Sequence, residues 1–121
     1  LMDLERFKMI NDNHGHLDGD ELLRHLAARL KNNMRANDTV ARLGGDEFVV
    51  LLPCALQDAM KKAQSLEEAL RGEYILKLER PVRVNLGVTM GVAEYRRGET
   101  ANQLLARADA ILYASKERRK D

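Results

Sequence analysis

The chain has 121 residues, 45% hydrophobic and 32% charged, with 20 Lys and Arg against 19 Asp and Glu and a net charge of +1. That is one domain's length with enough apolar material for a core, and the balanced charge excludes nucleic-acid or membrane binding driven by bulk electrostatics. No apolar run approaches the ~18 residues that span a bilayer, and no signal peptide is visible.

The opening Leu1-Met2-Asp3-Leu4 reads as the end of a buried strand whose start lies upstream. Glu5 to Asn13 reads as one short helix ended by Gly15 in a left-handed conformation. The next helix begins near Leu17 or Asp18, where Leu22, Leu23, Leu26, Ala27, Leu30 and Met34 recur as one apolar stripe. Thr39–Leu43 and Glu47–Leu52 read as strands around Gly44-Gly45, a hairpin signal because both central positions of a tight primed turn need positive φ. Pro53 stops the second strand. The single cysteine, Cys54, forms no internal disulfide, fits a reducing cytoplasm, and is expected as a small buried hydrophobe rather than a reactive thiol. Ala55–Arg71 is amphipathic, with Leu56, Ala59, Met60, Ala63, Leu66 and Leu70 on one face and Gly72 at its end. Tyr74–Leu78 reads as a short strand, and Val82–Tyr95 as a longer strand or hairpin broken or bulged near Gly87 and Gly91. A last helix covers Thr100–Arg119, with Leu104, Leu105, Ala108, Ile111, Leu112 and Ser115 facing inward. This order predicts one α+β domain over residues 1–121, with helices on a largely antiparallel sheet.

Chemistry concentrates at Arg42-Leu43-Gly44-Gly45-Asp46-Glu47-Phe48. A glycine turn exposes N–H groups that a phosphate can approach. The two carboxylates that follow would repel it unless a cation sits between them, and Mg²⁺ suits carboxylate and phosphate oxygens. Alone, such a hairpin is only a turn, and Asp3 alone is a strand-end cap. If the first strand lies beside the hairpin, Asp3 and Asp46 face one cleft, as two-metal phosphoryl or nucleotidyl transfer requires. His14, His16 and His25 show no zinc spacing and read as structural.

The segment Gly44-Gly45-Asp46-Glu47-Phe48 resembles the name-giving motif of the GGDEF family, the bacterial diguanylate cyclases. Asp3-Leu4-Glu5-Arg6-Phe7-Lys8-Met9-Ile10-Asn11-Asp12 is similar to the family's Asp-x-Asp-x-Phe-Lys-x-x-Asn-Asp stretch, and Gly15-His16 with Gly19-Asp20 to its Gly-His-x-x-Gly-Asp. Thr89-Met90-Gly91-Val92-Ala93 resembles its Ser-Ile-Gly strand, and Ala108-Asp109 through Tyr113 to Lys116 its C-terminal helix. The resemblance implies a nucleotide-cyclase-like fold with a ferredoxin-like core.

It also implies roles. Asp3, the Leu4 carbonyl, Asp46 and Glu47 would hold Mg²⁺ or Mn²⁺, with Asp46 and Glu47 catalytic. Gly44 and Gly45 would wrap the phosphates, with Lys8 and Lys116 contacting them, although solvated surface charges are the plain alternative for both lysines. Asn11 and Asp20 would read guanine, whose adjacent N1–H and 2-amino donors suit a carboxylate; adenine has an acceptor at N1 and no 2-amino group. The implied reaction condenses two GTP into cyclic di-GMP and pyrophosphate, one GTP per domain, so two domains must face each other as a homodimer. Arg35-Ala36-Asn37-Asp38 matches the family's Arg-x-x-Asp inhibitory site and predicts product inhibition by cyclic di-GMP; a polar helix end is the plain alternative.

Three departures stand out. Glu5 replaces the usual second Asp. Arg119-Lys120 stands where Gly-Arg is usual, leaving Lys120 to meet phosphate as a point charge. The family's N-terminal helix and its Leu-Thr-Gly-Leu-x-Asn-Arg segment are absent, as from an N-terminally trimmed domain. The helix after Arg35 offers Lys61 and Lys62 in place of a second arginine. The rival to an active cyclase is a catalytically silent module that binds GTP or cyclic di-GMP as a receptor; a ligand-free dimerisation domain is a third reading. The intact Gly44–Phe48 motif favours the enzyme. The unit is expected in the cytoplasm, with no nucleic-acid or membrane contact of its own.

Overall fold

The computed structural model describes residues 1–5, 7–14, 16–77 and 81–119, without the side chains of Asn11, His14, His16, Leu17, Asp18, Lys77 and Arg119. Its elements are β1 (Met2–Glu5), α1 (Phe7–His14), α2 (His16–Asn32), β2 (Thr39–Gly44), β3 (Glu47–Leu51), α3 (Leu56–Leu70), β4 (Gly72–Lys77), β5 (Pro81–Met90) and α4 (Ala101–Arg119). The expected helix end at Gly15, the strand position of Leu78 and the phosphate-contacting Lys120 lie outside the described residues.

The five strands form one sheet in the order β2-β3-β1-β5-β4, and every neighbouring pair is antiparallel. Since β1 and β2 both oppose β3, they run parallel with β3 inserted between them. This split arrangement of β1, β2, β3 and β5 is the ferredoxin-like core, with β4 added at the edge. The expected α+β class is borne out. The topology places the first strand directly beside the hairpin strand.

The core follows the periodicities. Met2 and Leu4 alternate inward from β1, and Val84, Leu86 and Val88 from β5. Leu22, Leu23, Leu26 and Leu30 of α2 and Leu66 and Leu70 of α3 close over them. Tyr74 of β4 is buried, donates its hydroxyl to the Leu70 carbonyl at 2.5 Å, and lies under the Arg29 guanidinium, 3.8 Å from its ring centre.

Several expectations are corrected. Glu5 belongs to β1 and not to the first helix, because pairing with β5 continues through Glu5 and Gly87. Gly87 neither breaks nor bulges β5, which runs unbroken to Met90. A Cβ on Gly87 would lie 2.3 Å from Glu5 Oε2, so this glycine makes room for the glutamate. Residues 91–96 carry no regular structure, so the strand does not reach Tyr95. Ala27, Met60 and Ile111 are exposed, each at the margin of an apolar stripe that neighbouring leucines already fill. Cys54 is exposed, because β3 ends at Leu51 and the chain leaves the sheet before reaching it.

The segment between β5 and α4 is fixed by ion pairing. Arg107 donates from Nε to Glu99 Oε2 at 2.6 Å and from Nη2 to the Glu94 carbonyl at 2.5 Å. Hydrogen bonds from Arg107 hold the Glu99 carboxyl at about 2, below its ordinary 4.5. A depressed carboxylate stabilises the fold fully above its ordinary value and loses that contribution as the pH falls to about 2. Replacing Arg107 with Ala should move Glu99 up toward ordinary titration, with the Arg96 N–H and charge still holding part of the depression. Carboxyl carbon shifts followed through an acid titration check this; an unmoved midpoint would show that another group sets it.

Candidate active site

The β2–β3 hairpin turns on Gly45-Asp46, because Gly44 is still paired with Glu47. The expected centre, Gly44-Gly45, is therefore one residue early. The register shifts between Arg42 and Gly44, so Leu43 is an extra residue that bends the tip. Gly44 and Gly45 have φ of +156° and +40°, which side-chain-bearing residues adopt only under strain. Arg42 clamps the turn: its Nε and Nη2 donate to the Gly45 carbonyl at 3.2 and 2.8 Å. The role of Arg42 has one sequence signal, an arginine three residues before Gly45 of the turn.

β1 lies alongside this tip. Met2 opposes Phe48 and Asp3 opposes Glu47, and the Leu4 N–H donates to the Asp46 carbonyl at 3.0 Å. Opposed residues of antiparallel strands share a face. Asp3 thus shares one face with Glu47 and, across β5, with Thr89, while Met2 and Leu4 turn into the core. Glu5, on the Asp3 side, accepts a hydrogen bond from the Thr89 hydroxyl. The tip and the acidic strand meet at one end of the sheet.

Asp3 is the most constrained acid there, with a side chain only 13% exposed. Its Oδ2 forms an ion pair with Lys116 Nζ from α4. Its Oδ1 is buried with no hydrogen-bond partner among the described residues. An unsatisfied buried carboxylate oxygen is costly and marks a place for a missing cation or donor. Carboxylates and a backbone carbonyl are the hard oxygen donors that Mg²⁺ takes, so these residues fit such an ion. Among the described residues no group of three or more His, Cys, Asp or Glu side chains is placed to hold a metal; a cation here would need the Leu4 carbonyl and ligand oxygens as well.

Lys8 on α1 and Asp20 on α2 are exposed, and the Asn11 side chain lies outside the description. Arg35 and Asp38 form a separate feature, a turn in which Asp38 Oδ2 accepts from the Arg35 N–H at 2.8 Å and the Arg35 carbonyl from the Asp38 N–H at 3.0 Å. This turn borders a cleft of about 710 Å³ that also takes in Asp58, Lys61 and Lys62 of α3. Lys62 donates to the Asn33 carbonyl just beyond α2. An apolar cavity of about 560 Å³ beside α3 and α4 contains none of the predicted site residues. His25 pairs with Glu21 one turn earlier at 3.4 Å, a surface contact. No described helix is long and apolar enough to cross a membrane.

The family model for the diguanylate cyclase GGDEF domain matches residues 1–121. The chain belongs to the GGDEF family. This GGDEF domain is 38% identical over 119 residues to the bifunctional diguanylate cyclase/cyclic di-GMP phosphodiesterase MucR of Pseudomonas aeruginosa, covering 97% of the chain and 17% of that protein. It is 41% identical over 118 residues to the response regulator PleD of Caulobacter vibrioides, covering 96% of the chain and 26% of PleD. It thus spans about a quarter or less of these relatives. Among solved structures it is similar to diguanylate cyclase SiaD of Pseudomonas aeruginosa in complex with its activator SiaC, with a TM-score of 0.88 and 34% identity over 97% of this chain and 45% of that one. The GGDEF domain of DgcB from Caulobacter crescentus in complex with c-di-GMP gives 0.84 and 29%, over 97% of this chain and 70% of that one.

Proposed function

We propose that this GGDEF domain is an active diguanylate cyclase that condenses two GTP into cyclic di-GMP with release of pyrophosphate. The observation that carries the reading is the buried Asp3 Oδ1, without a hydrogen-bond partner among the described residues, on the strand beside an intact Gly44–Phe48 tip. Asp3, Asp46 and the Leu4 carbonyl would hold the divalent cation, with Glu47 on the Asp3 face completing the acidic wall. When bound, that cation would offset charge on the reacting phosphate and acidify the attacking 3′-hydroxyl.

The chain's own groups do the rest. Gly44 and Gly45 let backbone N–H groups approach the phosphates without side-chain obstruction. Lys8, Lys116 and Lys120 supply positive charge to the triphosphate. Asn11 and Asp20 select guanine by pairing its N1–H edge. Each domain presents one GTP, so two copies must meet, and holding the 3′-hydroxyl against the partner's α-phosphate is worth up to ~7–11 kcal/mol of the barrier. The intact protein incubated with GTP and Mg²⁺ should yield cyclic di-GMP on nucleotide chromatography. Absence of product from a verified dimer would reject the cyclase, and tight GTP binding without turnover would install the silent receptor in its place.

Product inhibition belongs to the same proposal. The exposed Arg35, on a turn held by Asp38 and facing a cleft with Lys61 and Lys62, suits the phosphates and guanine edges of cyclic di-GMP. Losing a charged hydrogen-bond donor costs ~1.5–3 kcal/mol, so Arg35→Ala should raise the half-inhibitory concentration roughly 10- to 100-fold with the initial rate kept. Inhibition at the wild-type concentration would remove Arg35 from that role.

A further inference from the structure

Resting on the metal reading above, we propose that Lys116 is an internal counter-ion that occupies Asp3 until nucleotide arrives, so that the divalent cation enters together with GTP and not before it. Asp3 is largely withdrawn from water, and its only ion pair among the described residues is with Lys116. A carboxylate so placed is costly without a compensating charge. Lys116 compensates it through Oδ2, while Oδ1 has no partner among the described residues. The neighbouring Glu5 is engaged by Thr89 and sits over Gly87, so it does not take the place of Asp3.

A free divalent cation approaching Asp3 meets an ammonium already on the carboxylate. It must displace Lys116, leaving that ammonium without its partner, or bind beside a like charge. A cation arriving on a triphosphate removes the conflict, because the phosphate oxygens accept the displaced ammonium. The side chain is suited to this exchange: that of Lys116 is 39% exposed, and a lysine carries three rotatable donors on a flexible stem. The contact spans the chain from β1 to the C-terminal half of α4, so nucleotide arrival is also felt by that helix.

The test is Mn²⁺ binding by the intact protein, read from the electron paramagnetic resonance of free Mn²⁺, without nucleotide and with 3′-deoxy-GTP, which cannot cyclise. Without nucleotide, Lys116→Met should bind Mn²⁺ about tenfold more tightly than wild type, since a partly buried ion pair no longer competes. Lys116→Arg, which keeps the charge, should stay near wild type. With 3′-deoxy-GTP the advantage of Lys116→Met should vanish or reverse, because the phosphates lose a cation. If Lys116→Met melts too low for titration, a larger Mn²⁺-induced rise in its melting midpoint than in wild type reads the same difference. Equal nucleotide-free affinity of Lys116→Met and wild type, with Asp3→Asn still weakening Mn²⁺ binding, would overturn the counter-ion and leave the metal site standing. Undiminished Mn²⁺ binding by Asp3→Asn with the analogue would overturn the metal reading and this inference with it.

Discussion

Asp46→Asn in the intact protein should lower turnover of GTP about a thousandfold, some 4 kcal/mol of transition-state stabilisation. The substitution spares the hairpin. The turn is held by the Leu4 N–H on the Asp46 carbonyl at 3.0 Å and by the Arg42 clamp on the Gly45 carbonyl, neither of which uses the Asp46 carboxylate. Changes away from core and caps usually stay within about 0.5 kcal/mol in stability. What is lost is one negative charge where Asp3 and Asp46 are proposed to share a cation. Steady-state rates at saturating GTP and Mg²⁺, with a melting curve on the same sample, separate the two effects. Wild-type turnover by a folded Asp46→Asn protein would show that the cation takes other ligands.

Gly91→Ala should be the most destabilising single-methyl change near the site. A Cβ there would lie 2.4 Å from the Ala108 carbonyl oxygen, 2.6 Å from the Leu112 nitrogen and 2.9 Å from the Leu112 Cα. All three are backbone atoms of α4, so no side chain can swing aside. Gly91 is itself pinned, its N–H donating to the Leu1 carbonyl at 2.8 Å in continuation of the β1–β5 pairing. Overpacking against rigid backbone costs about 3 kcal/mol, which for a domain of this size lowers the melting midpoint by roughly 10–15 °C. The displaced helix carries Lys116, so its pairing with Asp3 should loosen as well. A thermal melt checks the prediction, and a midpoint within about 2 °C of wild type would show that α4 yields easily.

Much of this architecture was legible because patterns and chemistry agreed. The leucine stripes of α2 and α3 and the Gly44-Gly45 break are strong local signals, and they returned the helices and the hairpin within a few residues. The adjacency of β1 and β3 was readable only as a condition for Asp3 and Asp46 to meet, since strand order depends on long-range pairing that no local pattern carries. The hairpin frame was misplaced by one residue because the bulge at Leu43 obeys register and not composition. Glu5 reads as helix by its position before Phe7, yet hydrogen bonding to β5 overrides that preference. The same blindness to tertiary contact hid why Gly87 and Gly91 are glycines: each answers a neighbour distant in sequence, Glu5 for one and α4 for the other. Cys54 is of a type that suggests burial, but its place past the end of β3 decides exposure. The Lys116–Asp3 pair, 113 residues apart, has no sequence signal as a pair.

The most direct measurement is anomalous diffraction at the manganese edge from crystals of the intact protein grown with Mn²⁺ and 3′-deoxy-GTP. The account predicts a manganese peak bound by carboxylate oxygens of both Asp3 and Asp46 and by the triphosphate. A peak held by the phosphates alone, with Asp3 still paired to Lys116, would contradict it.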